Sequence, residues 1–70
     1  MAITYKPLWR QLVNKGMTKT EFRIQAEIST STLAKMGKDE YVALKIIDDI
    51  CNTLDCQVSE VIEHIKEPTE

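Results

Sequence analysis

Met17–Gly37, MTKTEFRIQAEISTSTLAKMG, is the stretch around which the rest of the chain has to be read. Thr18 and Glu21 have the T-x-x-E spacing of a capping box: the hydroxyl accepts from the amide of residue 21 and the carboxylate returns the bond. Phe22 and Ala26 follow at i, i+4 and give this first short helix one apolar stripe. Ile28 interrupts the polar turn as a buried plug, and Ser29 offers a second N-cap. The helix that Ser29 starts is rich in hydroxyls, and Leu33 and Met36 are its only large apolar residues. Gly37 is expected to supply a left-handed stop. Helices below about 12–15 residues are marginal in isolation, so the core must come from the flanking segments.

Upstream, MAITYK (residues 1–6) is expected to be an extended N-terminal arm. A helix should then start at Pro7, which suits a first-turn position, and stop at Gly16. Leu8, Leu12 and Val13 form its inward stripe, and Trp9 reads as a core or rim residue. Downstream, KDEY is a connector of ordinary length. Leu44, Ile47, Ile50, Cys51 and Leu54 then recur with helical spacing over about Ala43 to Leu54. A last helix is expected from about Ser59 to Lys66, with Val61, Ile62 and Ile65 inward and Val58 buried just before it. Residues 67–70, EPTE, should be a frayed tail. The expected fold is therefore all-α, a five-helix domain over residues 7–66. Its predicted core is Leu8, Leu12, Phe22, Ala26, Ile28, Leu33, Leu44, Ile47, Ile50, Leu54, Val61 and Ile62.

The order of these features resembles the helix-turn-helix of the lambda-repressor-like (Cro/repressor, XRE-type) DNA-binding domains. Thr18, Phe22, Ile28, Ser29, Thr32, Leu33 and Gly37 carry the resemblance, and the run Leu44, Ile47, Ile50, Cys51, Leu54 extends it to roughly residues 6–65. Two positions depart from the family pattern. Arg23 stands where the family usually has a small residue, so its stem should lie on apolar surface with the guanidinium in water. Glu27 stands where the family usually has Gly, and should therefore take positive φ at a cost of about 1 kcal/mol.

The resemblance implies a sequence-specific, double-stranded-DNA-binding transcriptional regulator, a repressor, whose helix from Ser29 enters the major groove. Thr30, Ser31, Ala34 and Lys35 would face the base edges, hydroxyls and ammonium forming hydrogen bonds and Ala34 touching a thymine methyl. Thr18, Lys19, Thr32 and Lys38 would meet the DNA backbone, Lys19 in place of a residue that is often Gln in the family. A homodimer on a two-part site would fit the motif class, although no dimer seam is evident in the sequence.

Composition bounds the alternatives. Seventy residues with 43% apolar content make one small domain, near the lower limit for folding on a single core. No run approaches the roughly 18 apolar residues of a membrane span, and the N-terminus lacks a secretory pattern, so a soluble cytoplasmic protein is expected. The net charge of −2 hides a split. Residues 1–38 carry seven basic side chains against two acidic, and residues 39–70 two basic against nine acidic. The basic half contains the helix-turn-helix, which points to an anionic partner for that face; ordinary surface scatter is the competing account.

Catalytic chemistry is not in view. Cys51 and Cys56 lack Cys or His partners at metal spacing and read as small buried hydrophobes. His64 stands alone, and Asp48–Asp49 and Glu60/Glu63 read as solvated helix faces. Neither a phosphate-binding glycine loop nor a nucleophile constellation occurs. The expectation is no enzyme, no metal and no small-molecule cofactor. One rival class stays open, a helix-turn-helix scaffold used to bind another protein, antitoxin or antirepressor-like. The acidic second half and Ile24, at a position usually polar in the family, keep it open.

Overall fold

The computed structural model describes residues 2–66; the expected tail, residues 67–70, lies outside them. Strand β1 (Ala2–Thr4) leads into helices α1 (Lys6–Lys15), α2 (Lys19–Ala26), α3 (Thr30–Gly37) and α4 (Leu44–Leu54). A single 3₁₀ turn (Val58–Glu60) then leads to strand β2 (Glu63–Ile65). The chain is thus mostly helical, with four α-helices among the described residues rather than five. The expected fifth helix is replaced by the 3₁₀ turn and by β2, which pairs antiparallel with β1 in the register Ala2↔Ile65, Ile3↔His64, Thr4↔Glu63.

All four helices close in the same way. A residue just past the helix, the first after α1, α2 and α4 and the second after α3, adopts left-handed backbone, and the next amide reaches back five residues to a carbonyl, the Schellman arrangement that satisfies the exposed C-terminal carbonyls. Gly16 (φ 67°), Glu27 (φ 58°), Asp39 (φ 58°) and Asp55 (φ 52°) take the left-handed position. The reaching amides are Met17 to Leu12 (2.9 Å), Ile28 to Arg23 (3.1 Å), Glu40 to Lys35 (2.9 Å) and Cys56 to Cys51 (3.1 Å). The expected left-handed Gly37 is a correction: Gly37 is the last residue of α3, and Asp39 supplies the reversal two residues later. Asp is among the residues that tolerate this backbone, and here its side chain is held by Thr4 and Tyr5, remote in sequence.

The core comprises Tyr5, Leu8, Leu12, Phe22, Ala26, Ile28, Met36, Ile47, Ile50, Leu54 and Val61. Leu33 and Ile62 are half-buried against it. Tyr5 and Met36 are fully enclosed although they are absent from the sequence-predicted core. Tyr5 is drawn in because its hydroxyl donates to the carbonyl of Glu40 at 2.7 Å, which removes the penalty for burying a phenol.

Several apolar residues expected inside lie outside. Leu44 is 79% exposed: it stands on the first turn of α4, flanked by Ile3, Tyr41 and Val42 along a shallow apolar groove but covered by no element. Val13 is 78% exposed, because Leu8 and Leu12 alone define the buried line of α1. Val58, expected buried just before the last helix, and Ile65, expected on its inner face, are exposed as well, since a 3₁₀ turn and an edge strand replace that helix and present different faces. Cys51 and Cys56 are half-buried free thiols at the closing turn of α4.

Candidate nucleic-acid interface

The first part of the site is the start of α2. The Thr18 hydroxyl accepts from the Glu21 amide at 3.1 Å, and the Thr18 amide donates to the Glu21 carboxylate at 2.8 Å. The expected capping box is therefore present in full. It fixes where α2 begins and leaves Lys19, its first residue, projecting from the surface. Helix α2 ends at Ala26, and left-handed Glu27 turns the chain so that buried Ile28 plugs the gap before α3. Glu27 thus takes the positive φ that its position implied, and Arg23 is half-buried.

Ser29 then starts α3. Its hydroxyl accepts from the Thr32 amide at 3.1 Å and donates to the Thr32 hydroxyl at 2.9 Å. Ser31 lies 3.1 Å from the same oxygen. Either of these two hydroxyls can donate to the other, since each carries one proton and can also accept. The three hydroxyls thus form one network on the first turn of α3. Sequence reasoning missed this three-hydroxyl cluster; the S-x-S-T spacing signals it once Ser29 is taken as the cap.

Met36 is buried and Leu33 half-buried on the inner side of α3. The opposite side carries Thr30, Ser31, Ala34 and Lys35, all exposed. Since successive residues turn about 100° around a helix, these four occupy one continuous stripe. Thr18, Lys19 and Lys38 are exposed and Thr32 is half-buried. Among the described residues the ion pairs are Arg10–Glu63 at 3.9 Å and Lys45–Asp49 at 3.0 Å. Neither involves Lys19, Lys35 or Lys38. Lys19 does have a partner that the sequence did not reveal: its ammonium lies 4.4 Å from the ring centroid of Trp9.

Residues 7–67 match the family model described as the Cro/C1-type HTH DNA-binding domain. The chain belongs to that family. The Cro/C1-type domain found here is also similar to the crystal structure of the transcriptional regulator VanUg, Form II. The two share 38% sequence identity and a TM-score of 0.90, over 94% of this chain and 88% of that one. No curated protein shows significant similarity to the chain. Membership of the Cro/C1-type family agrees with the lambda-repressor-like resemblance of the sequence, and four helices replace the five expected from it. In this domain no helix among the described residues is long and apolar enough to cross a membrane. No three His, Cys, Asp or Glu side chains among the described residues are grouped so as to hold a metal ion.

Proposed function

We propose that this domain is a sequence-specific, double-stranded-DNA-binding transcriptional regulator acting as a repressor, with residues 7–66 as the binding unit. The observation that carries this reading is the exposed stripe on capped helix α3 within a Cro/C1-type domain. A helix of this motif class docks in the major groove with its N-terminal residues at the base edges. Thr30 and Ser31 stand at that end of α3. Ser31, as a hydroxyl, suits either a donor or an acceptor on a base edge. Ala34 suits a thymine methyl, and Lys35 suits the O6/N7 edge of guanine.

Thr18, Lys19, Thr32 and Lys38 take the phosphate contacts. Such contacts set register and orientation and carry no sequence information directly. The Thr32 hydroxyl suits donation to a phosphate oxygen. Two copies on half-sites about 34–36 Å apart would match the geometry by which this motif class gains affinity. The similarity to the VanUg regulator supports a regulatory role.

The test is enrichment of a duplex from a random pool, then binding isotherms for that duplex and a scrambled one at about 50 and 200 mM salt. The expected result is tighter binding to the enriched duplex and affinity that falls with salt for both. Absence of enrichment together with absence of binding at the lower salt overturns the proposal and favours a protein partner.

A further inference from the structure

Trp9 is the only tryptophan of the chain, and its ring is half-buried against the core from α1. From the opening residue of α2, Lys19 places its ammonium 4.4 Å from the centroid of that ring. The segment joining them is fixed at both ends. Left-handed Gly16 and the 2.9 Å bond from the Met17 amide to Leu12 close α1, and the Thr18–Glu21 box opens α2. Ring and cation therefore meet through two well-defined backbone termini rather than through a loose loop.

We propose that Trp9 is a positioning residue for Lys19, holding its ammonium ready for a DNA phosphate. This rests on the reading of Lys19 as a backbone contact. An aromatic face attracts a cation through its quadrupole without neutralising the charge. A carboxylate partner would fix the same side chain but cancel the charge that the phosphate needs. The ammonium has three donors, and the ring takes at most the side facing it, leaving the others for solvent or ligand. A lysine already confined to one region loses less side-chain freedom when a phosphate arrives. Trp9 itself makes no DNA contact in this account; it acts through Lys19.

The test measures affinity for a short scrambled-sequence duplex at several salt concentrations, with wild type, Lys19→Met, Trp9→Leu, Trp9→Phe and the double variant Trp9→Leu/Lys19→Met. Lys19→Met should weaken binding and flatten the log–log salt slope by about 0.9. Trp9→Leu should weaken binding about two- to fivefold, the range expected of an exposed cation–π contact, and Trp9→Phe should restore most of it. The double variant should bind like Lys19→Met alone. If Trp9→Leu binds like wild type while Lys19→Met is weakened, Trp9 does not position Lys19 and only this inference falls. An equal loss from Trp9→Leu in both backgrounds also overturns it, since the effect then bypasses Lys19. If Lys19→Met itself binds like wild type, the backbone contact falls and this assignment falls with it. Should Trp9→Leu not fold, wild-type tryptophan emission decides: duplex should change it in wild type and not in Lys19→Met, and constant emission at saturation overturns the proposal.

Discussion

Thr4 donates its hydroxyl to the carboxylate of Asp39 at 3.2 Å, joining the end of β1 to the turn that closes α3 across 35 positions of sequence. The same carboxylate oxygen accepts from the Tyr5 amide, also at 3.2 Å. Tyr5 is the N-cap of α1 and has no side-chain cap of its own, so a remote carboxylate serves the start of that helix. Thr4 is 1% exposed, and its oxygen also accepts from the Lys6 amide at 3.3 Å.

Asp39 and Glu27 share the same backbone, φ 58° at each, yet glycine should act on them in opposite ways. Glu27 is exposed and makes no side-chain hydrogen bond among those of the described residues. Glu27→Gly should stabilise the domain by a few tenths to about 1 kcal/mol, strain relief exceeding the added entropy of the unfolded chain. Asp39→Gly relieves the same strain but strands the buried Thr4 hydroxyl and the Tyr5 amide, and should cost about 1–3 kcal/mol. Urea denaturation midpoints decide; a common sign for the two variants would contradict this account.

Tyr5 gives a pH-dependent case. Burial, with the nearby Asp39 charge adding to it, raises its pKa above the ordinary value of 10.0. The folded state therefore holds this proton more tightly than the unfolded state. The associated stability is fully present below the unfolded pKa and is lost as pH rises through the folded one. Tyr5→Phe should cost about 0.5–1.5 kcal/mol at neutral pH through the missing bond to Glu40. That deficit should shrink above about pH 10, because the variant has no phenol to ionise. Denaturation of both proteins at pH 7 and at alkaline pH checks the sign.

On α4, Ile47 is 4% exposed and Leu44 is 79% exposed. Ile47→Ala should cost about 2–5 kcal/mol, enough to threaten folding in a domain this small. Leu44→Ala should stay within about 0.5 kcal/mol of wild type. Thermal melts followed by circular dichroism separate the two; a large loss at Leu44 would mean that the groove it flanks is covered in solution.

On the proposed reading surface, Thr30→Ala and Lys35→Ala should each lose about 1–3 kcal/mol of preference for the enriched duplex over the scrambled one. Lys38→Ala should weaken both duplexes alike and flatten the salt slope by about one unit. Anisotropy titrations at several salt concentrations show which pattern each variant follows. Equal behaviour of all three and wild type would remove α3 as the reading helix.

What the sequence determined is local. The Thr18–Glu21 box and the Ser29 cap need only neighbours within a few residues, whereas the reversal at Glu27 was implied by the family resemblance. The apolar spacing of α1, α2 and α4 likewise follows from the chain's own order. Those features suffice to place the helix-turn-helix and the outward stripe of α3. The pairing of Trp9 with Lys19 was not legible, because it depends on the angle between two helices. Nor was the burial of Tyr5, which requires the Glu40 carbonyl from the far side of the chain. The last segment shows the limit most clearly. Val58, Val61, Ile62 and Ile65 fit a helical stripe, but a stretch this short also tolerates other conformations. Tertiary structure decided it: β1, fixed by the bonds from Thr4 and Tyr5 to Asp39, offers an open row of backbone donors and acceptors. Residues 63–65 satisfy that row as a strand, and a partner some 60 positions away leaves no mark on local periodicity.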